Sequence, residues 1–262
     1  FSTGDSVVDT PTNNFATIRM LRTPYASGAS ITDGNLRWIS GSGTGGGEMN
    51  KAGISTLLVN SGKWYAEFYS ISGTSALSMI GVQPYEDQVG GGTDNATLWG
   101  AKFGAGDIYI ADHVQSYPNN YWTHGSAGSN GDITMVYFDM DVSPPRLYTG
   151  KNGQWADGSG NADESGLTNG AALTIGGTAP YGLSIGDSSA SHAVNAILNC
   201  GQWPFKHTIP TGYNILNTDN IPDPTITTPE SHVKGLTYTG NASSRNLVSG
   251  FATDFVWIKR TS

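Results

Sequence analysis

The chain has a single cysteine, Cys200, in 262 residues. One thiol cannot close an internal disulfide and cannot build a thiolate metal cluster. No histidine follows it in a matching arrangement, so Cys200 is read as a small buried apolar side chain and not a nucleophile. Charge is sparse too: 13 Lys and Arg face 21 Asp and Glu, a formal net charge of −8. That balance opposes a phosphate backbone, which needs clustered basic residues to release counterions, and no nucleic acid is expected as a partner. No stretch approaches the roughly 18 apolar residues of a membrane span, and the first residues lack the basic and apolar regions of a signal peptide. The protein is therefore expected to be soluble, without membrane insertion. It opens on Phe1 and not Met, which fits a processed chain or a piece of a longer one. The zinc-protease pattern His-Glu-x-x-His is missing, and His113, His124, His192, His207 and His232 are too scattered to imply a shared zinc. No catalytic residue, metal or cofactor is expected.

Thirty-six glycines stand among many Ser, Thr and Asn. Glycine costs about 1 kcal/mol in a helix interior and the polar residues favour turns, so the pattern predicts an all-β chain. Its length suits one main domain. Lys63 to Tyr69 alternates, with Trp64, Ala66 and Phe68 on a buried face and Tyr65, Glu67 and Tyr69 on the other. Ile133 to Met140 is apolar on both faces, as in a central strand. A second strand from Arg146 runs into Asn152-Gly153, a pair that tolerates the positive φ of a two-residue hairpin. Further strands are expected at Asn35 to Ile39, 77 to 83, Leu98 to Ile110 with a turn at Gly104 to Gly106, Leu173 to Ile175, Leu183 to Ile185 and Ala196 to Asn199. After Asn220, Pro222, Pro224 and Pro229 punctuate a linker. The expected division is a sandwich over 1–221 and, over 222–262, a linker with a C-terminal extension of strands at Gly235 to Gly240 and Asp254 to Lys259. Those two strands must add to the first domain or pair with another chain.

Four blocks in order carry a resemblance to the SPRY-domain family: Gly62-Lys-Trp-Tyr-Ala-Glu-Phe-Tyr69, Met79-Ile-Gly-Val-Gln83, Gly131 to Asp141 with Arg146 to Trp155, and Asn199-Cys-Gly-Gln-Trp-Pro-Phe205. Each block alone is a strand beside a turn, and the ordered set is far more specific. A narrower resemblance is to SPRY-containing structural and tail proteins of tailed bacteriophages. It rests on Pro210-Thr-Gly-Tyr-Asn-Ile-Leu-Asn-Thr218 and Ile221-Pro-Asp-Pro-Thr-Ile226. Cys200 departs from the Phe usual at its place, and Trp203 is large for its own. The resemblance implies an all-β, two-sheet antiparallel SPRY-like sandwich of the concanavalin-like jelly-roll kind. It also implies a virion location and a non-catalytic binding role, with a host-surface glycan or protein as partner. The alternative is a structural or decoration protein contacting other virion proteins, and an outside alternative is a polysaccharide-degrading enzyme.

SPRY domains bind partners through loops, which by resemblance nominates Tyr85 and Glu86 from one connection, Tyr117, Trp122 and His124 from another, and Trp155 and Asp157 after the hairpin. Their residue types suit sugars and peptides, since an aromatic ring offers a flat apolar face and a polar tip. The same residues can equally serve to fasten long loops to the sandwich. Asp139 and Asp141 have the alternate spacing of a glycosidase pair, but they stand where the family carries Asp before its hairpin and are read as part of the fold. Asp157 to Asp163 mimics a calcium loop, yet Ala162 and Thr168 occupy places where an EF-hand needs Gly and Glu. A looser calcium loop stays open beside the plainer reading of turn formers. Gly41, Gly43 and Gly46 match a dinucleotide fingerprint without a βαβ unit around it, so a flexible loop is expected there.

Overall fold

The computed structural model describes residues 13–19, 29–40, 51–71, 78–84, 99–102, 107–110, 122–123, 130–156, 162–163, 171–172, 180–187, 194–222 and 228–259. Strands dominate them. In chain order they are β1 (Ile18–Arg19), β2 (Ala29–Thr32), β3 (Arg37–Ser40), β4 (Lys51–Ser55), β5 (Lys63–Ser70), β6 (Ser78–Pro84), β7 (Trp99–Lys102), β8 (Asp107–Ile110) and β9 (Trp122–Thr123). There follow β10 (Ile133–Asp139), β11 (Arg146–Lys151), β12 (Gln154–Ala156), β13 (Ala162–Asp163), β14 (Ala171–Ala172), β15 (Tyr181–Asp187), β16 (Val194–Asn199) and β17 (Asn214–Ile215). One sheet runs β1-β4-β15-β6-β7-β8-β9; the other runs β13-β12-β11-β10-β5-β16-β3-β2, with β14 beside β11 and β17 beside β5. Pairing is antiparallel throughout except for the short parallel contact of β17 with β5. The expected class, an all-β sandwich of two antiparallel sheets, is the one observed. Leu173 to Ile175 and the turn at 104–106 lie outside the described residues.

Alternation sends one row of side chains from each sheet into a shared core. Trp64, Ala66 and Phe68 from β5 meet Val136 and Phe138 from β10, Ala196 and Leu198 from β16, and Ile80, Val82, Leu183 and Ile185 from the facing sheet. Layer contacts join β10 to β6, β11 to β6 and β7, and β15 to β3. Gly53 on β4 is obligatory at one such approach: a Cβ there would sit 2.6 Å from Ile18 and 2.8 Å from the Trp38 ring. Cys200 is wholly buried in the same core, as the sequence implied.

The outward row of β5 is not solvent-facing, contrary to the one-sided alternation expected. Tyr65 and Glu67 have no exposure at all, and neither has Tyr137 on β10. The segment 203–213 folds back over this face: Phe205 meets Tyr65 edge-on at 5.1 Å, and Tyr213 meets Tyr137 edge-on at 4.5 Å. The block Asn199 to Phe205 is built for that reversal. Asn199 Oδ1 accepts from the Gly201 and Trp203 amides, and Gly201 takes a φ of 108°. Gln202 stitches the turn to the N-terminal segment by donating from Nε2 to the Ala16 carbonyl at 2.8 Å.

The chain divides into two compact units, Phe1–Ile221 and Pro222–Ser262. In the second, the described residues form one 3-10 turn, Pro229–Ser231, and no strand. Gly235 to Gly240 and Asp254 to Lys259, expected as strands, belong to no ladder. A strand exists only against a neighbour, and neither segment has one among the described residues.

Phe138 is fully buried on the central strand of the core. Phe138→Ala is expected to cost about 3 to 5 kcal/mol, the lost transfer energy plus the cavity left behind. Chemical denaturation checks this, and an unchanged midpoint contradicts the assignment.

Candidate functional site

The registers decide which connections can cooperate. Pro84, the end of β6, pairs with Tyr181, and Ile110, the end of β8, pairs with Trp99, which itself follows the segment after Pro84. Both strand ends therefore lie at one end of their sheet. Val59 bridges Tyr181 at that same end, and four residues later Lys63 begins β5 opposite Asp139. The end thus collects Pro84, Ile110, Gly62, Lys63 and the Asp139 to Arg146 connection. The Asn152-Gly153 hairpin follows Lys151, which pairs with Thr134 at the opposite end of β10.

Among the expected ligand residues, two are described, Trp122 and Trp155. Tyr85 and Glu86 follow Pro84, and Tyr117 lies between Ile110 and β9; these three, with His124 and Asp157, lie outside the described residues. Trp122 is described by its backbone, which opens β9 opposite Ile108 as the chain returns from the first end. Trp155, also described by its backbone, sits opposite Gly150 and Asp163, two residues beyond the hairpin at the second end. Because β7 lies against β11, the two tryptophans share one flank of the sandwich, on different sheets. Strand direction sets the Pro84 and Ile110 ends apart from the hairpin that precedes Trp155. In the calcium-loop candidate only Ala162 and Asp163 are described, as backbone in β13. Among the described residues no three His, Cys, Asp or Glu gather closely enough to hold a metal ion.

The hairpin end is firmly built. Asn152 and Gly153 have φ of 51° and 89°, the positive pair that the sequence predicts for this turn. Asn152 Nδ2 donates to Asp132 Oδ1 at 2.7 Å while its Oδ1 accepts from the Ile133 amide at 2.9 Å. His207 packs on the turn, so that a Cβ at Gly153 would lie 3.0 Å from its Nδ1. The His207 backbone is in turn held by Glu67: the His207 amide donates to Oε1 at 2.8 Å and the Lys206 amide to Oε2 at 3.0 Å. Tyr65 and Tyr69 hydroxyls donate to the same carboxylate, each at 2.9 Å.

At the first end the acidic pair is occupied structurally. Asp139 Oδ2 pairs with Lys63 Nζ at 3.1 Å, and its Oδ1 accepts from the Asp141 amide at 2.9 Å. Asp141 Oδ1 accepts from the Gly62 amide at 2.7 Å, closing the loop onto β5. Lys63 also lies 5.8 Å over the Tyr213 ring, and Tyr148 stacks on Tyr137 at 4.8 Å. The half-exposed Tyr148 and Tyr213, with Lys63 between them and the end, form an aromatic margin that the alternation argument missed. Its signal was Tyr137 and Tyr148, directly opposed outward residues of β10 and β11.

The sequence contains a Gly-x-Ser-x-Gly match, Gly182 to Gly186, although no nucleophile elbow of that pattern is expected from it. It lies inside β15 and not on a strand-to-helix elbow. Ser184 is buried and donates to Gly53 O or Gln83 Oε1, each 3.0 Å away, so its hydroxyl is a packing group. Burial pushes the Cys200 thiol up, away from thiolate character.

No family model matches the chain, and no curated protein matches it. Among solved structures it is similar to the SPRY domain of human HERC1, with 16% identity, coverage of 66% of this chain and 93% of that one, and a TM-score of 0.41.

The tyrosines around Glu67 and Asp139 set a pH dependence. Burial first, then the hydrogen bond to Glu67 and its charge, pushes Tyr69 up to about 12. Tyr65, Tyr137 and Tyr213 are likewise pushed up, chiefly by burial. An unfolded tyrosine ionises near pH ~10, so the folded state holds these protons more tightly. Their stabilising contribution is complete below that pH and is lost as pH rises through the folded values. Denaturation midpoints are expected to hold up to pH ~10 and then fall, and Tyr69→Phe should shrink the part of that fall between about 10 and 12. A midpoint insensitive to alkali contradicts the burial of these hydroxyls.

Proposed function

We propose that the chain is a non-catalytic binding module of a bacteriophage virion protein, placed in a tail, fibre or particle-surface position. Its partner is a host-surface glycan or protein. The observation that carries this reading is that Pro84 and Ile110, the ends of β6 and β8 after which Tyr85, Glu86 and Tyr117 follow in the chain, lie at one end of the same sheet, with Trp122 opening β9 opposite Ile108. Scaffold-held loops of aromatic and polar residues are suited to recognition. The virion setting rests on the sequence resemblance, in particular on Pro210 to Thr218 and Ile221 to Ile226. A second reading, a decoration protein contacting other virion proteins, is favoured by the exposed apolar side chains of the C-terminal unit, among them Phe255 at 81% and Trp257 at 78% exposure. Polysaccharide hydrolysis by Asp139 and Asp141 is disfavoured, because both carboxylates are tied to the Gly62 and Asp141 amides and to Lys63.

A glycan array followed by calorimetric titration with a retained glycan tests the reading. Tyr117→Ala and Trp122→Ala should each weaken binding by more than about 1 kcal/mol while melting temperatures change less, as expected for aromatic anchors. Melting temperatures that collapse while affinity per folded molecule stays constant would make these residues loop fasteners. No sugar release from host polysaccharide is expected, and turnover that disappears in a folded Asp139→Asn variant contradicts the binding role.

A further inference from the structure

The C-terminal unit holds four consecutive large apolar residues in the open. Phe255, Val256, Trp257 and Ile258 are 81%, 68%, 78% and 68% exposed. All four are strand formers, and the segment belongs to no strand. Such a run, with its backbone outside any ladder, is a ready template for pairing with another chain.

The flanking charges specify which chain. The run is bounded by Asp254 and Lys259, so an antiparallel copy of the same six residues matches it when the two-fold axis falls between residues 256 and 257. Asp254 then lies opposite the second copy's Lys259, Phe255 opposite Ile258, and Val256 opposite Trp257. Each opposed charge pair and each aromatic-aliphatic pair is of the kind that stabilises neighbouring strands. A one-residue slip one way sets Asp254 opposite the second copy's Arg260 but drives Phe255 onto Lys259, and a slip the other way sets Asp254 opposite Ile258, so neither keeps charges on charges and apolar residues on apolar ones. Whole copies of this acidic chain, at −8 each, repel one another, which makes a local complementary contact the more necessary.

We propose that Asp254 to Lys259 is a self-complementary strand through which two copies of this chain pair antiparallel, giving an isologous dimer. A two-stranded ribbon alone is marginal in water. Gly235 to Gly240 supplies further strand-forming sequence in the same unit, with Leu236 and Tyr238 each 46% exposed.

Sedimentation equilibrium of the full chain over a concentration series tests the proposal. The wild type should pass from monomer to dimer. Asp254→Lys and Lys259→Asp should each weaken association about tenfold or more, because like charges then face each other in both halves of the ribbon, and the double exchange should restore it. Trp257→Asp should leave a monomer whose denaturation midpoint is unchanged, since the side chain packs on no core. A wild type that stays monomeric at every concentration overturns the proposal. So does a dimer indifferent to the charge variants, which would place association on another surface.

Discussion

The carboxylate of Glu67 holds the outer layer of the first unit. It has no exposure, yet it accepts four hydrogen bonds, two from tyrosine hydroxyls on its own strand and two from the backbone of residues 206 and 207. Burying an unpaired carboxylate would be prohibitive, and donors on every side make it tolerable. Hydrogen bonds to a charged group contribute about 1.5 to 3 kcal/mol each, whereas an unsatisfied partner costs about as much. The carboxylate therefore fixes where the chain must return after β16. Phe205 is delivered to Tyr65, and Ile209 and Tyr213 join the cluster around Tyr137, so that the central strands are buried on both faces.

Further polar contacts hold the chain at both ends of the sheet. His207 connects the Glu67 tether to the Asn152-Gly153 hairpin, while Asp139 and Asp141 clamp Gly62 and Lys63 at the other end. The carboxylates of Asp139 and Asp141 are thus engaged in holding the chain around Gly62 and Lys63. The proposed binding role is assigned to the connections that follow Pro84 and Ile110, strand ends that lie at one end of their sheet. The second unit offers exposed apolar sequence that belongs to no ladder among the described residues, and the proposed pairing of two copies is assigned there.

The strands of the sandwich were legible because period-two burial writes itself into the sequence at Trp64, Ala66 and Phe68, and the hairpin because Asn152 and Gly153 are chosen for positive φ. Cys200 was legible by the same logic of apolar surroundings. The outer cover was not: Tyr65, Glu67 and Tyr69 read as a solvated face, since nothing local announces that a segment some 140 residues later supplies amide donors. Likewise Trp122 and Trp155 could be grouped by chemistry but not placed on their sheets, because position in a sheet follows from pairing. The C-terminal segments had strand composition, and composition does not provide a neighbour.

Hydrogen exchange at the Lys206 and His207 amides tests the central claim most directly, comparing wild type with Glu67→Gln. Substitution removes the charge that both amides address, and their exchange should accelerate by about 10- to 100-fold, the equivalent of one charge-assisted bond, while β10 and β11 amides in the core ladder retain most of their protection. Equal protection at residues 206 and 207 in the two proteins would contradict the account, and would mean that aromatic packing alone holds the outer layer in place.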